Sequence, residues 1–127
     1  MKKLLLIAFS VLLLTACSKD DEATIVGNWY FYKISSFQNG QETVEMYDNA
    51  CATKKDYLKF QSDDIVLSYF YDDMCIEEII SSLYTLDGTD LTIDGDVLEV
   101  ISLSDKSLKL KAISDTPGDY FIYEFKK

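Results

Sequence analysis

The chain has 127 residues, with 22 acidic and 12 basic side chains, a net charge of −10 and no histidine. Such a charge disfavours binding to nucleic acid, which proteins hold through Lys and Arg against phosphate, and it disfavours docking on anionic lipid. The lack of histidine excludes Ser-His and Cys-His catalysis and imidazole metal sites.

The first 16 residues have the features of a signal peptide. Lys2 and Lys3 precede a largely apolar run at residues 4–14. The run is too short to span a membrane, for which a helix needs about 20 residues. It has the length of a secretory apolar core, about 7–15 residues. We therefore predict that residues 1–16 are removed, which takes away two lysines and makes the net charge two units more negative.

The residues at the predicted cleavage site resemble the lipobox of bacterial lipoproteins. The motif is Leu-Thr-Ala-Cys at 14–17, and it implies that Cys17 is diacylated and anchors the protein to a membrane. Two acyl chains hold a protein on a bilayer, where one is marginal. The acidic tether at 17–24 contains Ser-Lys-Asp-Asp-Glu and resembles the lipoprotein export signal of Bacteroidota. That resemblance implies the outer membrane, with the cell exterior favoured over the periplasmic face.

Residues 25–127 have the length of one domain with one core, and they contain two cysteines, Cys51 and Cys75. In an exported, oxidising compartment such a pair is expected to form a disulfide. The chain-entropy model gives the crosslink roughly 3–4 kcal/mol of stabilisation. The alternative, a metal site with two thiolates, lacks the further ligands that zinc requires.

The rest of the chain predicts short antiparallel β-strands. Strict alternation shows the buried faces: Leu108 and Leu110 face inward, while Lys109 and Lys111 face outward. Short Asp- and Gly-rich spacers, such as "DGTD" and "DGD", join the later segments and imply antiparallel neighbours. This pattern predicts an all-β domain, either a closed up-and-down barrel or a sandwich. The segments are 24–36, 57–60, 65–71, 81–86, 91–93, 97–104, 107–114 and 119–126.

A series of motifs favours the barrel. Gly27 and Trp29 form a Gly-x-Trp at the start of the first strand, followed by "YLKF", "LYTLDGTDLTIDGD", "VISLSDKSLKLK" and "YFIYEFKK". The series resembles the small lipocalin-like lipoproteins of Bacteroidota over residues 25–127. The resemblance implies an eight-stranded antiparallel up-and-down barrel with Trp29 plugging one end. It also implies cysteines before the second strand and after the third, which Cys51 and Cys75 match.

The segment at 38–55 is long for a hairpin connection, and two interpretations are open. It either caps the barrel mouth, held there by the disulfide, or forms an ordered surface loop with one helical turn.

Alternation assigns two charged residues to the interior. Lys33 is in phase with Trp29, and Glu99 is in phase with Ile101. A buried charge must be paired, so these side chains either pair with each other or hold a polar group of a ligand at the entrance. Alternatively, a bulge turns both to water. The full set predicted to line a cavity or its entrance is Phe31, Lys33, Leu58, Phe60, Glu99, Ile101 and Tyr123.

No motif predicts a metal, a cofactor or catalysis. The aspartates at 87–96 lack the spacing of a calcium loop and are interpreted as hairpin turns. The outward-facing Tyr30 and Tyr32 are candidates for a patch that binds a sugar or a protein. The sequence thus predicts a non-enzymatic protein that binds a small, partly apolar ligand in its barrel. The alternative is a solid barrel that binds a protein or glycan at the cell surface.

Overall fold

The computed structural model describes residues 24–127, which form nine β-strands. The predictions for the signal peptide, for lipid on Cys17 and for the acidic residues after it lie outside the described residues. The strands are β1 (Gly27–Gln38), β2 (Gln41–Met46), β3 (Tyr57–Phe60), β4 (Ile65–Tyr71), β5 (Glu77–Asp87), β6 (Asp90–Ile93), β7 (Asp96–Leu103), β8 (Ser107–Ile113) and β9 (Tyr120–Lys126).

The nine strands close into a barrel with eight positions around its wall. Strand β1 pairs with β9 on one side, which closes the sheet. On the other side its first residues, Gly27 to Tyr30, pair with β3, and its later residues, Lys33 to Gln38, pair with β2. Strands β2 and β3 therefore share one position. The predicted eight-stranded antiparallel barrel is confirmed.

The first half of the segment at 38–55 is a strand, β2, which continues the wall beside β1. Residues 47–55 form the predicted surface loop, without a helical turn. The turn before β2 has Asn39 at φ 53° and Gly40 at φ 75°. Two consecutive positive φ values are the signature of a type I′ hairpin turn, which matches the twist of the strands that it joins. The same geometry recurs at Asp94 and Gly95, between β6 and β7.

One end of the barrel, here called the packed end, is filled by side chains. Trp29 is fully buried there, and its indole nitrogen donates a 2.7 Å hydrogen bond to the carbonyl of Ile25. Phe60 meets the ring of Tyr84 edge-on at 4.9 Å. Aromatic pairs of this geometry add to the stabilisation that comes from area burial alone. The other large side chains that are fully buried are Phe125, Leu91, Leu108, Leu110 and Val66.

The opposite end, here called the open end, is less covered. Strand β6 has four residues, so β5 from Glu77 to Ser82 pairs with β4 alone within the described chain. Inward-facing side chains at this end, Ile34 and Phe121 among them, are half-buried. The barrel is therefore a cup with a solid floor.

Two β-bulges place three residues differently from the orientation that alternation predicts. The register of β1 and β9 shifts between Phe31 and Lys33, and Lys33 consequently stands opposite Glu124 on the outer wall. A second shift lies within β7 and places Glu99 opposite Lys111, also on the outer wall. One extra residue in a strand reverses every face beyond it. The prediction that these charges face inward is wrong.

The extra residue in β7 is Ile101 itself. It lies between Val100 and Ser102, where the pairing with β8 shifts, and it is 45% exposed. The inward-facing residues of β7 that pack against the core are instead Leu98, Val100 and Leu103. Ile101 therefore does not line the interior either.

The buried Trp29 gives the first prediction. Replacing Trp29 with Ala removes a fully buried ring and is expected to lower the free energy of unfolding by about 3–5 kcal/mol. Trp29→Phe keeps most of the packing but loses the hydrogen bond to Ile25, so its loss should be smaller. Urea denaturation followed by far-ultraviolet circular dichroism measures both. The control Ile113→Ala, at a side chain that is 78% exposed, should change stability by less than about 0.5 kcal/mol. An equal effect of Trp29→Ala and the control would contradict the prediction.

Candidate functional site

A buried carboxylate organises the gap between β2 and β3. Asp56 is 6% exposed, and its carboxylate accepts hydrogen bonds from the backbone N–H of Tyr71 at 2.9 Å and from the hydroxyl of Tyr47 at 2.6 Å. Its backbone N–H donates to the side chain of Asn49, and its carbonyl accepts from Phe31. Asp56 therefore connects β1, β4 and the segment that follows β2.

Tyr47 fills the space beside Asp56. Its ring stacks on Phe31 with the ring centroids 4.7 Å apart. Burial raises the pKa of Tyr47 well above its usual range, and the hydrogen bond to Asp56 and the charge of that carboxylate raise it further. The hydroxyl consequently keeps its proton and acts as a donor to Asp56. On the outer wall, a hydrogen bond to Glu77 raises the pKa of Tyr71 to about 12.

The predicted disulfide between Cys51 and Cys75 is confirmed. The two Cα atoms lie 4.9 Å apart. The bond joins the segment after β2 to the turn between β4 and β5, where the carboxylate of Asp72 accepts hydrogen bonds from the backbone of Met74 and Ile76. The disulfide and Asp56 together hold the β4–β5 hairpin against the segment after β2.

The inner surface of the open end presents apolar side chains to solvent. Ile80 shares a face with the buried Tyr84 and is 46% exposed. Phe70 and Phe31 also face inward, with their rings 6.0 Å apart. Ile79, the neighbour of Ile80, points to the outer wall and is 48% exposed. The cup can therefore hold an apolar group against its inner wall.

The other predicted lining residues divide between the two ends. Leu58 and Phe60 belong to the core of the packed end, where Phe60 is almost fully buried, so neither lies at an entrance. Phe31 and Tyr123 are partly buried and pack on the upper side of that core. Ile80, Tyr47 and Asp56 were not predicted from the sequence. The only local signal for Ile80 was its place in a run of apolar residues before the predicted strand.

The outward-facing tyrosines lie in one row across three strands. Tyr30 stands opposite Tyr57 with ring centroids 5.1 Å apart, and Tyr57 stands opposite Tyr69 with rings stacked at 4.4 Å. Tyr32, the extra residue of the first bulge, lies beside this row, and the ammonium of Lys126 is 3.8 Å from the centre of its ring. Lys126 was not predicted as a site residue.

No group of three or more His, Cys, Asp or Glu side chains within residues 24–127 is placed to hold a metal ion. Every buried side-chain nitrogen or oxygen atom in this range has a hydrogen-bond partner. No helix in residues 24–127 has both the length and the apolar character to cross a membrane.

The closed barrel, with the Gly-x-Trp at the start of β1, agrees with the family to which the sequence is matched. The chain belongs to the lipocalin-like domain family, whose model matches residues 25–110. The lipocalin-like fold suggests a barrel that binds a ligand. No curated protein matches the sequence.

Two solved structures share this fold. One is a lipocalin-like protein from Bacteroides uniformis, with a TM-score of 0.56 and 18% identity over 78% of this chain and 96% of the other. Another is an uncharacterized protein from Bacteroides eggerthii, with a TM-score of 0.58 and 18% identity over 82% of this chain and 99% of the other. At this identity the similarity concerns the fold alone.

The disulfide gives a second prediction. Replacing Cys51 and Cys75 together with Ser should lower the free energy of unfolding by about 3–4 kcal/mol, because the unfolded chain gains conformational freedom. Urea denaturation of the variant and of the reduced native protein should give the same midpoint. A loss below about 1 kcal/mol would mean that the crosslink adds little to the contacts around Asp56.

The raised pKa of Tyr47 gives a third prediction. Above pH about 10 the unfolded chain ionises this tyrosine while the folded protein keeps it protonated, so the unfolded state binds fewer protons. The stability that this hydroxyl contributes is therefore present below pH 10 and is lost as the pH rises towards the folded-state pKa. Stability measured between pH 9 and pH 11 should fall less steeply in Tyr47→Phe than in the native protein. Equal slopes would contradict the prediction.

Proposed function

We propose that the protein binds a small, partly apolar ligand in the open end of its barrel and acts by binding rather than catalysis. The observation that carries this proposal is the exposure of inward-facing apolar side chains at that end, above all Ile80. A ligand that covers apolar surface inside the cup gains roughly 25 cal/mol of binding free energy for each Å² that is removed from water.

The packed end limits what such a ligand can be. Trp29, Phe60 and Phe125 fill the barrel below Phe31, so the ligand enters from the open end and does not pass through. The half-buried Phe31 and Tyr123 form the floor of the cup. This depth suits a small molecule or one short apolar chain rather than a long one.

The rim of the cup adds polar groups to its apolar wall. Glu78 lies opposite Phe70 and Glu45 lies opposite Ile34, each on the inward face. Both carboxylates are exposed. These side chains fit a ligand whose apolar part contacts Ile80 and whose polar or cationic part lies at the rim. Sites of this kind are mostly apolar, with a few polar groups that fix orientation.

The proposal includes a location on the outer membrane. It rests on the Leu-Thr-Ala-Cys motif at 14–17 and on the acidic residues that follow Cys17. Lipid on Cys17 would hold the barrel at the membrane, and the acidic tether favours the side that faces the exterior. Membership in a generally non-catalytic family supports a binding role.

A matched pair of variants tests the ligand site. Ile80→Glu places a charge on the inner wall and should abolish ligand binding, because an apolar ligand would then have to desolvate a carboxylate. Ile79→Glu makes the same change at an adjacent residue of almost equal exposure on the outer wall and should leave binding intact. Protein purified from bacterial membranes in nonionic detergent and incubated with a lipid extract would be examined by native mass spectrometry.

The result expected is an added mass on the native protein and on Ile79→Glu that is absent from Ile80→Glu. An added mass of equal occupancy on all three proteins would place the ligand elsewhere. A bare mass for all three would overturn the proposed function, and would leave the barrel as a solid interaction module.

A further inference from the structure

A second candidate site opens on the outer wall beside the gap between β2 and β3, and it reaches inward as far as Phe31. Two cavities of about 360 and 510 Å³ adjoin there and share Tyr30, Lys55 and Lys126 in their walls. They are here called the outer groove. Each exceeds the lower limit of about 300 Å³ that is typical of small-molecule sites. Tyr32 also lines the groove, and Lys127 lies at its far end.

The charge of the outer groove is opposite to that of the protein. Its walls contain Lys55, Lys126 and Lys127, and no Asp or Glu side chain of the described residues lines either cavity. The whole chain carries a net charge of −10. The cavity at the tip of the β4–β5 hairpin shows the contrast, since it is lined by three carboxylates, those of Asp72, Glu77 and Glu78. The outer groove is therefore a local cationic site on an acidic surface, and its charge is complementary to an anion.

Aromatic rings hold two of these ammonium groups in place. The nitrogen of Lys126 lies 3.8 Å from the ring centre of Tyr32, and the nitrogen of Lys127 lies 5.0 Å from that of Trp29. Both distances are within the range of about 6 Å for cation–π attraction. Lys127 also donates a 3.4 Å hydrogen bond to the carbonyl of Val26. Ammonium groups that are already positioned lose less entropy when a ligand binds.

The same contacts limit the chemistry of the ligand. Lysine ammonium groups lie over the ring of Tyr32, with Lys33 at 5.5 Å in addition to Lys126, and Tyr30 packs against Tyr57. The groove thus presents ammonium groups and phenol hydroxyls, both of which donate hydrogen bonds. A nucleobase requires an aromatic face on which to stack. A ligand rich in oxygen acceptors and bearing a carboxylate fits these donors better.

We propose that the outer groove binds a short anionic saccharide of the uronic acid class. Lys55 and Lys126 bind its carboxylates, and the tyrosine hydroxyls bind its ring oxygens and hydroxyl groups. Charged partners form the stronger hydrogen bonds, so the carboxylates supply most of the selectivity. The acidic surface outside the groove repels a long polyanion, which restricts the ligand to a few sugar units. Ile80 lines neither cavity of the outer groove, so either site can be occupied without the other.

The test uses the full protein in nonionic detergent and isothermal titration calorimetry with tetragalacturonate. The matched ligand is the methyl ester of the same tetrasaccharide, which has the same rings without the charges. We expect the ester to bind about tenfold or more weakly, because it cannot form the charge-assisted contacts. Binding of the acid should also weaken as salt rises from about 20 to about 500 mM, because the Debye length then falls from ~20 to ~4 Å and the charges are screened.

Variants locate the site. The double change Lys55→Gln and Lys126→Gln should weaken tetragalacturonate binding about tenfold or more. Lys109→Gln, which removes a lysine from the outer wall beyond the groove, should change it less than about twofold. Circular dichroism shows whether each variant keeps the fold. Failure to bind tetragalacturonate, equal binding of acid and ester, or tighter binding of a single-stranded oligonucleotide would each overturn the proposal.

Discussion

The buried carboxylate of Asp56 is the interaction on which this barrel depends. Backbone pairing leaves a gap in the wall where β2 ends and β3 begins, and Asp56 joins the two sides through Tyr47 and the backbone of Tyr71. A buried charge is tolerated only when its hydrogen bonds are satisfied. Removing this carboxylate would leave two donors unpaired in the wall. Because Lys55 directly precedes Asp56, the same interaction also sets the position of one wall of the outer groove.

The structure divides the molecule into surfaces of different chemistry. The packed end contributes stability, the inner wall of the open end contributes exposed apolar area, and the outer groove contributes positive charge on an acidic protein. Membership in the lipocalin-like family accounts for the packed end and is consistent with an apolar inner wall at the open end. It does not bear on the outer groove, since functions are carried by sites and not by folds.

Much of the fold could be predicted from the sequence because its signals are local. Strands β3 and β4 were predicted with the observed bounds, and the pattern around Trp29 led to the barrel. Strand β2 was missed because "QETVEM" is polar, and its pairing with β1 decides its conformation. Asp56 was missed because it looks like an ordinary acidic loop residue. Its burial follows from meeting Tyr71, 15 residues further on. The positions of the bulges could not be predicted, because the register of a strand depends on its partner strand as well as on its own sequence.

The bulge at Tyr32 lets β1 contain one residue more than its partner β9 while the inward and outward faces stay matched. Beyond it, Ile34 faces the interior while Lys33 stands opposite Glu124 on the outside. Deleting Tyr32 would restore regular alternation, with Lys33 still outside and Ile34 still inside. A one-residue deletion here should therefore be tolerated better in evolution than one elsewhere in β1, where it would exchange the two faces. Relatives of this chain that lack the bulge should align with a one-residue gap at Tyr32.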